Sequence, residues 1–178
     1  MELEKKYLLK EGDQVFAIFD VSRVTEGFAL AGWRFKEIVE LQQGYLDCDF
    51  ARDIAREICM VDILFHIKDA RVRRQGRETT LTFKSDGDVS GLMRHKVEIP
   101  IEESLFKVLW INTEGRRVIK TRYIFTDGKH EIKINVYKDK PLMVAEVEFV
   151  SEEEAAAMVP FGKDVTADPK YKNSNLGE

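Results

Sequence analysis

Like-charged residues recur in pairs two positions apart along this sequence. The acidic pairs are Glu2 with Glu4 and Glu146 with Glu148, and the basic pairs are Arg71 with Arg73 and Lys120 with Arg122. In a β-strand, side chains two residues apart point to the same face of the sheet. Paired carboxylates suit Mg²⁺ or Mn²⁺, and paired basic groups suit phosphate oxygens. The pattern therefore indicates a sheet face that binds a metal-bound polyphosphate.

Further charged or polar positions follow the same spacing. They are Lys6, Thr82 with Lys84, Arg94 with Lys96 and Glu98, and Lys133 with Asn135. The alternative interpretation is that these strand faces meet solvent and form salt bridges with their neighbours. Grouping by sign argues against it, because like charges on one strand face repel and a solvated surface gains by mixing them.

The elements that must position these residues are mostly strands. Alternating apolar and polar runs, separated by turn residues, lie at 2–9, 77–85, 92–101, 116–125, 130–138 and 142–150. Asp127-Gly128 predicts a hairpin between two of them. Many short strands joined by tight turns predict an antiparallel sheet or barrel.

Three segments have helical spacing, at 49–59, 102–110 and 151–159. The last begins with Ser151 and carries Glu154 three positions later, which is a capping-box arrangement. The segments 11–34 and 60–69 fit a helix or a strand equally well, so their structure is left open.

The composition predicts one domain over residues 1–178, with 28 basic and 32 acidic residues and a net charge of −4. This balance argues against a dedicated DNA-binding protein, which would be strongly basic. Cys48 and Cys59 form no CxxC pair and indicate a reducing compartment. The first residues lack the apolar segment of a secretory signal, and no run approaches the ~18–20 apolar residues of a membrane span. We therefore expect a soluble cytoplasmic protein that binds neither membrane nor nucleic acid.

Seven motifs in a fixed order resemble the CYTH superfamily, the triphosphate tunnel metalloenzymes. They are ELEKK at the start, QGYL at 43–46, RVRRQG at 71–76, TFKS at 82–85, EGRRVIKTRY at 114–123, VAEVEF at 144–149 and FGKDVTADPKYKNSNL at 161–176. The spacing of EGRRVIKTRY and of the VTADPKYKN segment looks most like that of the small bacterial inorganic triphosphatases. The resemblance covers nearly the whole chain except 48–67, which we interpret as a helical insertion.

The resemblance implies a mainly β (α+β) fold, a closed eight-stranded antiparallel barrel that forms a tunnel with flanking helices. It implies a cytoplasmic enzyme, often a homodimer, that hydrolyses a triphosphate with Mg²⁺ or Mn²⁺. Inorganic triphosphate is the expected substrate. The alternatives are a polyphosphate- or nucleotide-binding module with weak or no catalysis, and a class IV adenylate cyclase. The cyclase is disfavoured because the sequence shows no clear adenine-recognition element.

The resemblance also assigns roles to the charged residues. The metal-binding acids are Glu2, Glu4, Glu98, Glu146 and Glu148, and the phosphate-binding bases are Arg71, Arg73, Lys84, Arg94 and Arg122. Lys6 matches the lysine of the first motif, and Lys120 matches a lysine that activates the attacking water in some members. As a general base, Lys120 would need a lowered pKa, to which the neighbouring cations Arg116 and Arg122 could contribute.

Three positions depart from the family pattern. Lys96 and Lys133 stand where small members usually have glutamate, and Asn135 stands where they usually have aspartate. An asparagine can still offer its carbonyl oxygen to a metal, whereas a lysine beside it repels one. We expect one of three consequences, namely slower hydrolysis with one metal, a longer or more anionic substrate, or binding without turnover; neutral drift is the alternative. His66, His95 and His130 have no metal-ligand spacing and are expected on strands or at the surface.

Overall fold

The computed structural model describes residues 3–10, 29–30, 32–58, 67–85, 96–160 and 162–177. The chain divides into two compact units. The first unit comprises Met1–Glu40 and Ile119–Lys172, and the second comprises Leu41–Val118 and Asn173–Glu178. Glu2 and Arg94, two of the predicted site residues, lie outside the described residues, as do His66, His95 and residues 11–28 of the segment left open.

Strands make up most of the described structure. They are β1 (Leu3–Leu9), β2 (Ala29–Leu30), β3 (Trp33–Tyr45), β4 (Ile67–Gln75), β5 (Glu78–Ser85), β6 (Lys96–Pro100), β7 (Arg117–Thr126), β8 (Glu131–Tyr137), β9 (Met143–Phe149) and β10 (Lys163–Asp164). The helices are α1 (Cys48–Glu57), α2 (Glu103–Ile111), α3 (Glu152–Ala157) and α4 (Asn173–Leu176), with a 3₁₀ turn at Pro169–Tyr171. The mainly β fold and the three predicted helices are thus confirmed. None of these helices is long and apolar enough to cross a membrane.

The first unit contains a sheet in the order β10-β1-β9-β8-β7, with the first part of β3 next to β7. The registers of β1, β8, β9 and β10 with their neighbours are antiparallel. One face carries the apolar residues of the alternating pattern, including the buried Tyr7, Phe125, Ile134 and Val147. Helix α3 covers this face through Ala155, and the charged residues of the same strands therefore lie on the opposite face.

The second unit contains the remaining part of β3 followed by β4, β5 and β6, with antiparallel registers between neighbours. Its apolar face includes Val72, Leu81 and Phe83, which pack with residues of both α1 and α2. Helix α1 begins where Asp47 accepts hydrogen bonds from the amides of Asp49 and Phe50. The segment 48–67, predicted to be a helical insertion, is helical over Cys48–Glu57, where it packs on the sheet, while 59–66 lie outside the described residues.

The predicted closure into an eight-stranded barrel is not confirmed. Among the residues that the structure describes, the strand pairings leave the outer edges of β10 and β6 without a further strand. An antiparallel sheet with a few helices is therefore the architecture that the structure supports.

The hairpin predicted at Asp127-Gly128 joins β7 to β8. Gly128 has φ +98°, a left-handed conformation in which a side chain would be strained. Asp127 accepts hydrogen bonds from the amides of Lys129 and His130, at 2.8 and 2.6 Å. Although burial opposes ionisation, these bonds and the His130 ring lower the pKa of Asp127 to about 2.

His130 ties this hairpin to helix α3, and its role was not anticipated from the sequence. Its Nδ1 lies 3.1 Å from Asp127 and its Nε2 lies 3.1 Å from Glu154. The ring contacts the rings of Trp33 and Phe149. The hydrogen bond to Asp127, together with Glu154, raises the pKa of His130. Hydrogen bonds from Lys129 and the amide of Val150 lower the pKa of Glu154 to about 2.

These shifts predict that stability falls as the pH rises above neutrality. A histidine whose pKa is raised by folding stabilises the folded state fully below its ordinary value of about 6.5, and this contribution is lost as the pH rises through the folded value. We expect the free energy of unfolding in urea to decrease between pH 6 and pH 9. His130→Gln should remove most of this decrease; an equal pH dependence in the variant would contradict the assignment.

Candidate active site

The charged face of the first unit brings together acids and bases from β1, β7, β8 and β9. The register places Lys6 opposite Glu146 and Glu4 opposite Glu148. It places Lys133 opposite Glu146 on the other side of β9, and Arg122 opposite Asn135. Lys120, two residues from Arg122, lies on the same face opposite Tyr137. The described members of the predicted set on these four strands therefore share one face, as the two-residue spacing indicated.

Glu146 is the acid at the centre of this face and is only 4% exposed. Its carboxylate accepts a hydrogen bond from Arg122 Nη2 at 2.9 Å and lies 3.6 Å from Lys6 Nζ. Burial alone would raise its pKa, but Lys120, Arg122 and Lys6 together with Asn135 lower it. Glu146 is therefore ionised at neutral pH and balances several buried positive charges.

Glu4 shows the opposite behaviour on the same face. Burial and the neighbouring carboxylate of Glu146 raise its pKa, although Lys6, at 3.2 Å, works against the shift. Glu148 adds to the repulsion. A carboxylate held beside other carboxylates binds a cation with a gain in free energy, because the cation relieves their repulsion.

Asn135 is fully buried and its amide is fixed from both ends. Its Oδ1 accepts a hydrogen bond from Arg122 Nε at 2.9 Å. Its Nδ2 donates to the carbonyl oxygens of Lys133 and Val144, at 3.2 and 3.3 Å. The idea that Asn135 offers its carbonyl oxygen to a metal is therefore not supported, because that oxygen already holds a guanidinium group.

Lys120 is 1% exposed, and its Nζ lies 5.2 Å from the centre of the Tyr137 ring. Its positive charge contributes more than that of Arg122 or Lys6 to lowering the pKa of Glu146. The attraction between an ammonium group and a buried carboxylate is mutual, so Glu146 favours the protonated form of Lys120. This environment fits an ammonium group that neutralises charge better than it fits a general base.

The charged face of the second unit is mainly basic and holds a second set of predicted residues. Arg71 and Arg73 lie on β4, opposite Thr82 and Thr80 of β5. Lys84 lies further along β5, opposite Lys96 of β6, and Glu98 is opposite Thr82. Thr82 donates a hydrogen bond to Glu98 at 3.0 Å. Arg71, Arg73, Lys84 and Glu98 thus occur on neighbouring strands of one unit.

Gln43 and Tyr45 are site residues that the sequence analysis did not identify. Arg73 donates from Nε and Nη2 to Gln43 Oε1, at 3.1 and 2.9 Å, and Gln43 Nε2 donates to the Tyr45 hydroxyl. Burial raises the pKa of Tyr45. The signal was present in the QGYL motif, where both polar residues have the two-residue spacing of the charged pairs. Together they hold the Arg73 guanidinium in one orientation.

The glycine of the same motif has a packing role. A Cβ atom at Gly44 would lie 2.4 Å from Thr113 Oγ1. Thr113 in turn accepts from Arg117 Nε at 3.0 Å and donates to the Trp110 carbonyl at 2.8 Å. Only glycine lets β3 approach this turn so closely, which explains the glycine of the QGYL motif by packing alone.

The resemblance implies a divalent cation, for which the carboxylates are the candidate ligands. In the part of the chain that the structure describes, no group of three or more acidic, histidine or cysteine side chains is close enough to hold a metal. Glu146 and Glu148 are held by Arg122 and Lys133, at 2.9 and 2.6 Å. Glu4, with its raised pKa, has the crowded anionic environment that a cation would relieve. Among the described residues, Glu4 is therefore the acid whose surroundings fit a divalent cation best.

Comparisons with known proteins agree with the motifs. An inorganic triphosphatase of Nitrosomonas europaea is 46% identical over 114 residues, which are 61% of this chain and 74% of that protein. The crystal structure of an inorganic triphosphatase matches with a TM-score of 0.60 and 33% identity, over 99% of this chain and 94% of the other. A Pyrococcus horikoshii protein shares the fold at 19% identity, with a TM-score of 0.52, over 88% of this chain and 84% of its own. No family model matches the chain.

The chain belongs to the CYTH superfamily, the triphosphate tunnel metalloenzymes, as the ordered motifs predicted. Inorganic triphosphatases match it in both sequence and structure.

Proposed function

We propose that this protein hydrolyses inorganic triphosphate to pyrophosphate and orthophosphate in a reaction that requires Mg²⁺ or Mn²⁺. The observation that carries the proposal is the buried cluster in which Lys6, Lys120 and Arg122 surround the ionised Glu146. Such a cluster is costly to build for stability alone, because desolvating charges offsets much of their attraction. A bound polyanion would give these cations a function. The triphosphatase relatives supply the substrate class.

The proposed substrate contacts are the basic residues predicted from the motifs, namely Arg71, Arg73, Lys84, Arg94 and Arg122. A guanidinium group binds a phosphate oxygen pair with two parallel hydrogen bonds. Arg73 is suited to this role because Gln43 orients its guanidinium group through hydrogen bonds from Nε and Nη2. Arg71 Nε is buried with no hydrogen-bond partner among the described residues, so a phosphate oxygen would satisfy it.

The proposed metal ligands are Glu2, Glu4, Glu98, Glu146 and Glu148, as the motifs predicted. Of these, Glu4 has the environment best suited to a single divalent ion, since Glu146 already balances three cations and Glu148 is paired with Lys133. When bound, the cation supplies positive charge to the phosphate oxygens and a fixed site for water. Glu98, which is hydrogen-bonded to Thr82 and lies 3.9 Å from Lys96, is the weakest of the proposed ligands.

In the proposed mechanism, a water oxygen attacks a terminal phosphorus atom in line with the bridging oxygen. The P–O bond to that bridging oxygen breaks, and pyrophosphate leaves with the bonding electron pair, while the proton of the water passes to the phosphate products. Lys120 and Lys6 are the proposed catalytic residues. Their ammonium groups neutralise the charge that builds up on the phosphoryl and leaving oxygens.

The remaining features that the resemblance implies belong to the same proposal. They are a closed eight-stranded barrel, one domain over residues 1–178, a cytoplasmic location and a homodimer. Size-exclusion chromatography with light scattering would give the oligomeric state.

The function is tested by incubating the protein with inorganic triphosphate, ATP or thiamine triphosphate, each with Mg²⁺, Mn²⁺ or excess EDTA. Orthophosphate, pyrophosphate and cyclic AMP are then measured. We expect equal amounts of orthophosphate and pyrophosphate from inorganic triphosphate, and background release with EDTA. Cyclic AMP from ATP would instead identify a cyclase.

A second candidate function is a triphosphate-binding module without turnover. It is favoured by the ion pair between Lys133 and Glu148, which places a lysine on one of the proposed metal ligands. Tight triphosphate binding by calorimetry with background phosphate release would establish this alternative and reject the hydrolase.

A further inference from the structure

Lys133 occupies a central place on the charged face of the first unit. Its Nζ lies 2.6 Å from Glu148 Oε1, and its side chain is 17% exposed. Two other cations of this face, Lys6 and Arg122, are directed at Glu146 and Glu4. Lys133 therefore supplies positive charge to Glu148, a proposed metal ligand with which neither of those two forms an ion pair in the described part of the chain.

The surroundings keep Lys133 at this carboxylate. Its backbone carbonyl accepts a hydrogen bond from the buried Asn135 amide, which Arg122 holds at the other end. The register fixes Lys133 opposite Glu146, next to Glu148 along β9. With the backbone fixed in this way, the ammonium group reaches Glu148 Oε1, an oxygen that a divalent cation at Glu148 would need, and its charge repels that cation.

A tethered ammonium group and a divalent cation differ in charge and in whether they must first bind to the site. The ammonium contributes one charge without a binding equilibrium, and it can donate hydrogen bonds to both Glu148 and a phosphate oxygen. A divalent cation contributes two charges but depends on its free concentration. A site with Lys133 in place of one cation would therefore need fewer metal ions to bind the same polyanion.

We propose that Lys133 is a built-in cation that occupies the position of a divalent ion at Glu148, so that this site binds triphosphate with a single divalent cation. The proposal rests on the proposed function and deepens it, because it assigns Lys133 as the residue that determines the metal stoichiometry. Lys133 thus determines how many divalent cations the site binds, whereas Lys120 and Arg122 contact the phosphate groups.

The test is a titration of the purified full chain with Mn²⁺ in the absence of substrate. The electron paramagnetic resonance signal of free Mn²⁺ measures how much of the ion is bound. We expect one Mn²⁺ per chain in the wild type. Lys133→Met keeps the length of the side chain and removes its charge, and we expect it to bind a second Mn²⁺ or to bind Mn²⁺ at least tenfold more tightly. Lys133→Arg, which keeps the charge, should retain the wild-type stoichiometry.

The matched control is Lys36→Met, because Lys36 forms an exposed ion pair with Glu131 on the same unit. It should leave Mn²⁺ binding unchanged. Urea unfolding confirms that each variant is folded. Equal Mn²⁺ stoichiometry and affinity in the wild type and Lys133→Met would overturn the proposal.

The triphosphatase assay separates this inference from the proposed function. If the wild type hydrolyses triphosphate but Lys133→Met binds Mn²⁺ as the wild type does, only the role of Lys133 is wrong. If Lys133→Met gains Mn²⁺ while the wild type releases no phosphate, the role of Lys133 is retained and the hydrolase proposal is rejected.

Discussion

Glu146→Gln is expected to lower the free energy of unfolding by about 3–5 kcal/mol, the usual cost of removing one partner from a buried ion pair. The carboxylate is 4% exposed and is approached by Lys6 and Arg122. Its replacement leaves these buried positive charges, together with Lys120, without their counter-charge. Urea unfolding with linear extrapolation measures the loss.

The same variant should respond more strongly to polyanions than the wild type does. Triphosphate brings negative charge to cations that Glu146→Gln leaves unbalanced, so binding to the folded state restores part of the lost stability. We expect added triphosphate to raise the melting temperature of Glu146→Gln by more than that of the wild type. Hydrolysis should nevertheless be lost, because the cations are no longer held in their arrangement.

The control for this pair of measurements is Glu131→Gln. Glu131 is an ion-paired glutamate of the same unit whose partner, Lys36, is half exposed. Exposed ion pairs contribute only about 0–1 kcal/mol, so this variant should unfold almost as the wild type does. If Glu146→Gln lost no more stability than Glu131→Gln, Glu146 would not be the counter-charge that stabilises the buried cations.

The loss of wild-type stability at acidic pH gives an independent test of the role of Glu146. Folding lowers the pKa of Glu146, so its stabilisation is present above the unfolded value of about 4.5 and is lost as the pH falls below it. Glu146→Gln should therefore lose less stability than the wild type between pH 5 and pH 3. Equal losses would contradict the assignment of Glu146 as an ionised, charge-balancing group.

The face on which each charged residue lies could be predicted from the sequence, because side-chain direction in a strand depends only on spacing. Glu4, Lys6, Arg122 and Glu146 share a face for this reason. Their partners could not be predicted in the same way. Which residues meet across strands depends on register, and register is set by turns and by packing of the apolar face. The pairing of Lys133 with Glu148 is a result of this kind.

The role of Asn135 shows a second limit of the sequence. As a residue type, asparagine offers both an oxygen and an amide, and the sequence left its oxygen available to a metal. In the structure the Arg122 guanidinium holds that oxygen, and the amide donates to two backbone carbonyls. An aspartate here would place a second carboxylate oxygen against those carbonyls. The departure from the family pattern is thus matched to its surroundings, which argues against neutral drift.

His130 and Gln43 were missed for a related reason. Both are single polar residues whose partners are distant or ordinary in sequence, such as Glu154 for His130 and Arg73 for Gln43. A polar residue becomes informative only when its burial is known, because burial requires a partner. The strands, in contrast, could be predicted from the sequence, because runs of alternating apolar and polar residues recur along the chain.

Lys120→Met is expected to reduce kcat for triphosphate hydrolysis by about 10²–10³-fold, the usual effect of removing a charge or donor that stabilises the transition state. Methionine has a similar length and lacks the charge, so the effect reports the ammonium group. Triphosphate affinity should fall less than kcat if Lys120 acts mainly on the developing charge. The matched control is Lys138→Met, because Lys138 is half exposed and paired with Glu40 on the same unit.

Lys120→Arg separates the two roles that a lysine can have at this position. Arginine keeps the positive charge but cannot act as a base, since it does not deprotonate in proteins. If the ammonium group neutralises phosphoryl charge, Lys120→Arg should retain more activity than Lys120→Met, and wild-type kcat should fall at high pH as the ammonium loses its proton. If Lys120 instead activates water as a base, both variants should be equally inactive and wild-type kcat should rise with pH. The proximity of Glu146, whose pKa is lowered in part by Lys120, favours the first outcome, because each charge stabilises the other.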